Sequence, residues 1–207
     1  MTVATKSRLV PKPSPEDTRA RIMEAAETLF RRLGYAKTTV ADIAGELGMS
    51  PANVYRFFPS KSAIVEAICH LCLTRHEEEA WATVRGRGTA AQRIENLVLS
   101  ILTYHMENLI EDQRVHDIVL VACEENWDAI QAHKRTIASM FEQIVRDGID
   151  AGEFETVDPR TTAAMLMHAF IRYLHPIVIA DSIRDHDIKA EARASVQFTL
   201  RAITRRE

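Results

Sequence analysis

Apolar positions recur along the chain at spacings of three and four and never settle into sustained alternation, so a succession of helices is predicted and no strand. The first run is Ile22, Ala26, Leu29, Phe30 and Leu33. Ahead of it, Ser14-Pro15-Glu16-Asp17 supplies a capping hydroxyl, a proline suited to the first helical position and a carboxylate able to reach back to the cap, and Gly34 closes the run. This predicts a helix of about five turns. Thr39 and Asp42 form a second capping pair, opening a short helix that carries Ile43, Ala44 and Leu47 and ends at Gly48. Ser50-Pro51 opens a third helix, and Pro59-Ser60 separates it from a fourth that runs from about Lys61 towards Trp81.

Beyond the Gly86/Gly88 loop, Thr89 and Gln92 make another capping pair, and Ile94, Leu97, Val98, Ile101, Leu102 and Leu109 trace the apolar face of one long helix. Helical patterns follow at about Gln113 to Cys123, Asn126 to Ala151, Asp158 to Ala180 and Asp187 to Arg205. Gly152 stops one of these, Asp158-Pro159 starts the next, and Pro176 should kink the helix that holds it. The predicted fold class is all-α. The longest apolar stretch, Ala163 to Ala180, is interrupted by His168, Arg172, His175 and Pro176, so it is expected to be buried in protein rather than to span a membrane.

Composition adds an asymmetry to this picture. Residues 1–61 hold ten Lys or Arg against six Asp or Glu, a net of +4, so the overall −3 leaves −7 for the remainder, which also carries all eight histidines. The basic end is the candidate for a polyanion. Residues 1–13, with Lys6, Arg8 and Lys12 among prolines and small polar residues, read as a flexible basic arm. Three cysteines, an odd number, and no apolar stretch behind a charged leader argue against a secreted disulfide scaffold, so a cytoplasmic location is expected.

Residues 39–61 carry the clearest chemistry. A helix-turn-helix needs a small residue where its helices cross, a turn residue tolerant of a left-handed backbone, and apolar residues locking one helix onto the other. Ala44, Gly48 and Val54 meet those needs at consistent spacings, with Ile43, Leu47 and Phe58 as further core. The N-terminal residues of the second helix should then enter the major groove of double-stranded DNA. Asn53 can pair with adenine, Ala52 can touch a thymine methyl, Arg56 can reach guanine or phosphate, and Pro51 completes the tip after Ser50. Tyr55, Lys61 and the Thr39 hydroxyl are candidate phosphate contacts.

Thr39-Val40-Ala41-Asp42-Ile43-Ala44, Gly48-Met49-Ser50 and Val54-Tyr55-Arg56-Phe57-Phe58-Pro59-Ser60-Lys61, preceded by the Ile22 to Gly34-Tyr35 helix, resemble the DNA-binding segment of TetR-family (tetracycline-repressor-like) regulators. The resemblance is specific over about residues 16–65 and architectural beyond them. It implies an all-helical homodimer with an N-terminal three-helix DNA-binding domain over 14–62 and an effector-binding and dimerisation domain over 63–207, linked by the helix of about 61–81. Gly148 to Phe154 followed by Asp158-Pro159 is similar to the family's usual junction before its penultimate helix. Two departures stand out: Phe57 replaces a residue that is often a phosphate-binding His or Tyr, and Pro51-Ala52-Asn53 differs from the commoner Lys-Gly-Thr type.

On that model the last two long helices would pair with their mates, a role that suits Met165, Phe170, Leu174, Ile177, Val196, Phe198 and Leu200. An unknown small-molecule effector would sit among the middle helices, with Leu102, His105, Met106, Val119, Cys123, Trp127, Phe141, Met165 and His168 as candidate lining. Cys69, Cys72 and His76 share one helix face and form an alternative metal- or thiol-sensing group, although adjacent turns of one helix rarely close a tetrahedron alone. There is no Gly-rich phosphate loop, nucleophile elbow or His-Glu-x-x-His, so neither catalysis nor a cofactor is expected. The expected function is ligand-responsive transcriptional regulation, as a repressor released from a near-palindromic operator; the alternatives are the metal- or thiol-sensing regulator and, given Phe57, a helical ligand-binding protein with weakened DNA binding.

Overall fold

Local capping chemistry sets the helix starts in the computed structural model, which describes residues 14–110, 118, 121–122, 128–182 and 187–205. The basic arm of residues 1–13 and most of the helix expected from Gln113 to Cys123 lie outside the described residues. The chain divides into two compact units, Met1–Val65 and Glu66–Glu207.

In the first unit, α1 (Pro15–Leu33) begins at a reciprocal capping box between Ser14 and Asp17 and stops at Gly34. Helix α2 (Val40–Glu46) begins at the same kind of box between Thr39 and Asp42, and α3 (Pro51–Tyr55) begins at Ser50. The inward face of α1 buries Ile22, Ala26, Leu29 and Phe30, while Ile43, Ala44, Val54 and Phe58 are buried from the segments that follow. Truncating one such side chain to Ala costs about 2–5 kcal/mol.

Two cations also brace this unit. Arg19 donates to the Phe57 carbonyl at 2.8 Å and lies 4.0 Å above the Phe58 ring. Lys61 donates to the carbonyls of Tyr35 at 2.8 Å and Thr38 at 3.0 Å, and sits 4.2 Å above the Tyr35 ring.

Helix α4 (Lys61–Val84) spans the division between the units. In the second unit, α5 (Ala90–His105) starts at the Thr89/Gln92 box and buries Ile94, Leu97, Val98, Ile101 and Leu102. Its expected continuation as one α-helix through Leu109 is replaced by a π-helical turn, Met106–Ile110. Helix α6 (Asp128–Asp150) contributes Met140, Phe141, Ile144 and Val145 to the same core.

The single kinked helix expected from Asp158 to Ala180 is instead three segments: α7 (Pro159–Ala169), α8 (Ile171–Leu174) and α9 (Pro176–Ser182). Proline disfavours a helical backbone in the residue before it, and His175 is extended at φ −106°, ψ 119°. Helix α10 (Ile188–Leu200) packs against α5.

Polar and backbone bonds close the second unit around α5. Arg93 donates to the Val84 carbonyl at 2.8 Å and pairs with Asp147 at 2.9 Å. Glu153 accepts from the Ala90 amide at 2.6 Å. Gly148 lies where a Cβ would overlap the Phe154 ring and come within 2.7 Å of the Ala90 Cβ, so only glycine lets α6 approach that closely. An isolated antiparallel bridge joins Phe154 to Thr204, with Glu155 donating to Ile203 at 2.8 Å and Arg205 to Glu153 at 3.0 Å.

Every regular element among the described residues is helical, and none of those helices is long and apolar enough to cross a membrane.

Candidate functional site

The turn between α2 and α3 is held by backbone bonds from Gly48 to Gly45 at 3.1 Å and from Met49 to Ala44 at 2.9 Å. Gly48 has φ 64°, a left-handed conformation costly for any residue with a Cβ, which explains why glycine stands there. Ser50 then accepts from the Asn53 amide at 3.3 Å. Val54 points inwards and is fully buried, leaving Ser50, Pro51, Ala52, Tyr55 and Arg56 exposed on one short ridge.

Asn53 is half-buried beside that ridge. Its amide donates to the Met49 sulfur at 3.6 Å and accepts from Arg56 at 3.5 Å. Both are long contacts, readily exchanged for a base edge.

Two residues expected to grip phosphate have other duties. The Thr39 hydroxyl accepts from the Asp42 amide at 3.1 Å and spends its proton on the Asp42 carboxylate at 2.6 Å. The hydroxyl bond, together with the Thr39 amide donating to the same carboxylate at 2.8 Å, holds the Asp42 carboxyl below the usual range. Lys61 commits two of its three N–H bonds to Tyr35 and Thr38, and burial pulls its pKa below the ordinary value. It braces the segment between α1 and α2 in this structure. Phe57 acts through its carbonyl, which receives Arg19. Nothing in the local motif marks Arg19, because its partner is 38 residues away.

Among the described residues expected to line an effector site, some share the core of the second unit and others lie on its surface. Leu102 and Phe141 are core, Met106 packs against that core, and His105 is buried. Met165 is 57% exposed and His168 is also on the surface of its unit, each having fallen on the outer side of α7. Val119, Cys123 and Trp127 lie outside the described residues. Of the residues proposed for a helical bundle, Phe170, Val196 and Leu200 are buried in the unit's own core, whereas Phe198 is 75% exposed. Leu174 and Ile177 are half-buried.

A different group is assembled from α4, α5 and α6. His76, only 2% exposed, stacks on Tyr104 with ring centroids 3.9 Å apart and planes 13° from parallel. His105, 3% exposed, lies 6.4 Å from His76 between ring centroids, and His133 lies 6.1 Å away on the same measure. The His133 Nδ1 is 2.7 Å from a Glu77 carboxylate oxygen. The Nε2 of His76 and the Nδ1 of His105 are buried and have no hydrogen-bond partner among the described residues.

Burial, reinforced by His133, lowers the His76 pKa to about 4. Burial and the neighbouring histidines, His76 foremost, lower that of His105 to about 3. Both rings are therefore neutral at neutral pH. Tyr104 is pushed up to about 12, by burial first and then by Cys72, Cys69 and Glu79.

The His76–Tyr104 pair borders a cleft of about 370 Å³ that also takes in Glu79, Thr103, Glu107 and Asn108. Cys69 and Cys72 are half-buried, and among the described residues no group of three or more His, Cys, Asp or Glu is placed to hold a metal. Sequence reading missed Tyr104, Glu79 and His133, whose polar positions on three separate helices carry no local motif.

Comparison with known proteins agrees with both halves of this architecture. Residues 22–68 match the model for bacterial regulatory proteins of the tetR family, and residues 90–200 match the tetracyclin repressor-like C-terminal domain. The uncharacterized HTH-type transcriptional regulator YfiR of Bacillus subtilis is 25% identical over 165 residues, 75% of this chain and 77% of that protein. The structure of SmeT, the repressor of the Stenotrophomonas maltophilia multidrug efflux pump SmeDEF, superposes with a TM-score of 0.64 at 25% identity, covering 92% of each chain. A SmeT–triclosan complex superposes with a TM-score of 0.62 at 26% identity, covering 91% of this chain and 92% of that one. Since the two models together span most of the turn-forming N-terminal unit and most of the helical C-terminal unit, the chain belongs to the TetR family of helix-turn-helix transcriptional regulators.

Proposed function

We propose that this regulator is a ligand-responsive repressor acting as a homodimer in the cytoplasm, with residues 14–62 reading an operator and residues 63–207 binding an effector and pairing the subunits. The observation that carries the DNA-reading assignment is the exposed ridge of Ser50, Pro51, Ala52, Tyr55 and Arg56, set on a turn locked by Gly48. Asn53 and Arg56 supply base-edge hydrogen bonding, Ala52 a methyl contact, and Ser50 and Tyr55 hydroxyls for phosphate. Thr39 caps α2, and Lys61 braces the segment that precedes it. Specificity therefore rests on a short tip.

Dimerisation is assigned to α7 and α10, where Met165 and Phe198 stand exposed. Large apolar side chains in water favour a partner surface. A dimer places two tips in successive major grooves, roughly 34 Å apart, on a near-palindromic site. Effector binding that favours another spacing releases DNA through differential affinity for the two states. The similarity to SmeT, a pump repressor also solved with triclosan, supports the repressor and effector parts of this reading.

The decisive experiment selects bound duplexes from a random pool and compares the full chain with Asn53→Ala. A palindromic consensus is expected, with base preference relaxed by about 1–3 kcal/mol at one position per half-site in the variant. Selection of no consensus would overturn the reading.

A further inference from the structure

Helix α3 is too short to hold its own direction. It has five residues, and the Asn53 and Val54 amides donate to the Ser50 carbonyl at 2.9 and 3.3 Å, while those of Phe57 and Phe58 donate to the Val54 carbonyl at 3.0 and 3.1 Å. A helix of this length is not stable alone, so its axis is set by what it is attached to. The Gly48 turn fixes where it begins. Val54 and Phe58, both buried, fix which side faces inwards. Apolar burial is non-directional, so these two contacts do not by themselves fix the angle at which α3 leaves the turn.

A directional contact reaches the far end of α3 from α1. Arg19 donates through Nη1 to the Phe57 carbonyl at 2.8 Å, just beyond the Arg56 cap, and its guanidinium carbon lies 4.0 Å from the centroid of the Phe58 ring. The hydrogen bond sets a distance and a direction, and the planar cation over the ring sets a plane. Asn53, Tyr55 and Arg56 thus lie between two clamps, the Gly48 turn on one side and Arg19 on the other. Groups that recognise a ligand must be held to within about 0.5 Å and about 10–20° of the productive geometry.

We propose that Arg19 is a positioning residue for DNA recognition: its bond to Phe57 and its stacking on Phe58 hold the angle at which α3 presents Asn53 and Arg56 to base edges. The proposal rests on the operator-reading assignment given above and adds to it a residue outside the helix-turn-helix. Phe57 gains a role from the same geometry. Its side chain cannot donate to phosphate, and its carbonyl is the point at which α1 grips the tip.

The test uses the full chain and its Arg19→Ala and Arg19→Lys variants, well below their melting temperatures. Arg19 is exposed, so truncating it leaves no internal cavity and the variants should fold. Two duplexes serve as probes: the consensus selected from a random pool and a scrambled duplex of equal length. Arg19→Ala should lower affinity for the consensus about tenfold or more, the worth of one charge-assisted hydrogen bond, and should bind the scrambled duplex within about twofold of the parent. The slope of log affinity against log salt should match the parent's, because no phosphate contact is lost. Arg19→Lys keeps a cation and a donor, and should recover most of the loss. Hydrogen exchange without DNA should show the Asn53, Phe57 and Phe58 amides exchanging about tenfold faster in Arg19→Ala, with those of Leu29 and Phe30 in α1 unchanged.

A slope reduced by about one would make Arg19 a phosphate contact and overturn the proposal. Equal loss on both duplexes, unchanged affinity in Arg19→Ala, or a lysine variant no better than alanine would also overturn it. So would faster exchange spread evenly over α1 and α3, the mark of a residue that only stabilises the unit. If the parent selects no consensus, the operator reading fails separately and exchange decides alone. Faster exchange confined to α3 and the two residues after Arg56 then upholds the grip of Arg19, and unchanged exchange removes it.

Discussion

Acidifying the protein from about pH 7.5 to about pH 5 should destabilise the second unit through His76 and His105, and the size of the loss follows from their burial. In the unfolded chain each imidazole titrates at its ordinary value of 6.5, whereas in the folded unit His76 titrates at about 4 and His105 at about 3. The unfolded state therefore binds more protons than the folded state throughout this interval, so stability falls as pH falls. The stability is fully present above the unfolded value and drains away as pH drops towards the folded values. Both rings are still essentially neutral in the folded unit at about pH 5, so the loss over this span depends on the unfolded value and amounts to about 2 kcal/mol per histidine, about 4 kcal/mol for the pair.

Other groups titrate in the same window, and the measurement therefore has to be a difference. Urea unfolding of the parent and of the His76→Gln/His105→Gln double variant, at both pH values and one protein concentration, isolates the two rings. The parent should lose about 4 kcal/mol more than the variant. A difference below about 1 kcal/mol would refute the argument that burial keeps these rings neutral.

Lys61→Ala should lower stability by about 1–3 kcal/mol through loss of its bonds to Tyr35 and Thr38. The same variant should leave the salt dependence of DNA binding unchanged; a slope reduced by about one would return Lys61 to the phosphate backbone. Gly148→Ala should lower the melting temperature, at a cost of about 1–3 kcal/mol for the overlap with Phe154 and Ala90, and an unchanged melting temperature would contradict the close approach described for α6. Phe198→Glu should shift the protein towards monomer in sedimentation, because it places a charge on the face assigned to pairing; a dimer unaffected by this change would assign pairing to another surface.

The boundaries most legible in the sequence are those set by chemistry within four residues. The Ser14/Asp17, Thr39/Asp42 and Thr89/Gln92 boxes all form as their side chains dictate, and Gly48 turns the chain where a left-handed residue is required. Periodicity fails where a single residue's rotation, about 100° around a helix axis, separates an inner from an outer position. Met165 and His168 fall outward on α7 while Ala163 and Leu166 fall inward, a distinction the helical spacing left open. The π-turn after His105 and the break at Phe170 escaped for a related reason, since each ends a helix without Gly or Pro as a marker.

Contacts between distant residues left no trace at all. Lys61 carries the residue type expected of a phosphate clamp, and only folding shows that the carbonyls of Tyr35 and Thr38 take its protons first. The histidine cluster is a stronger case, because His76, Tyr104 and His133 come from three helices and the sequence grouped His76 with Cys69 and Cys72 rather than with the other two.

The bridge between Phe154 and Thr204 ties the segment from Glu153 to Arg205 into a ring of chain whose ends are fastened by main-chain atoms. Glu155 and Arg205 donate through their amides, Ile203 and Glu153 accept through their carbonyls, and none of these groups depends on which side chain is attached. Helices α7 to α10 can thus exchange surface residues without losing the backbone link between Glu153–Glu155 and Ile203–Arg205. A proline at position 155 or 205 would remove one of these two donors.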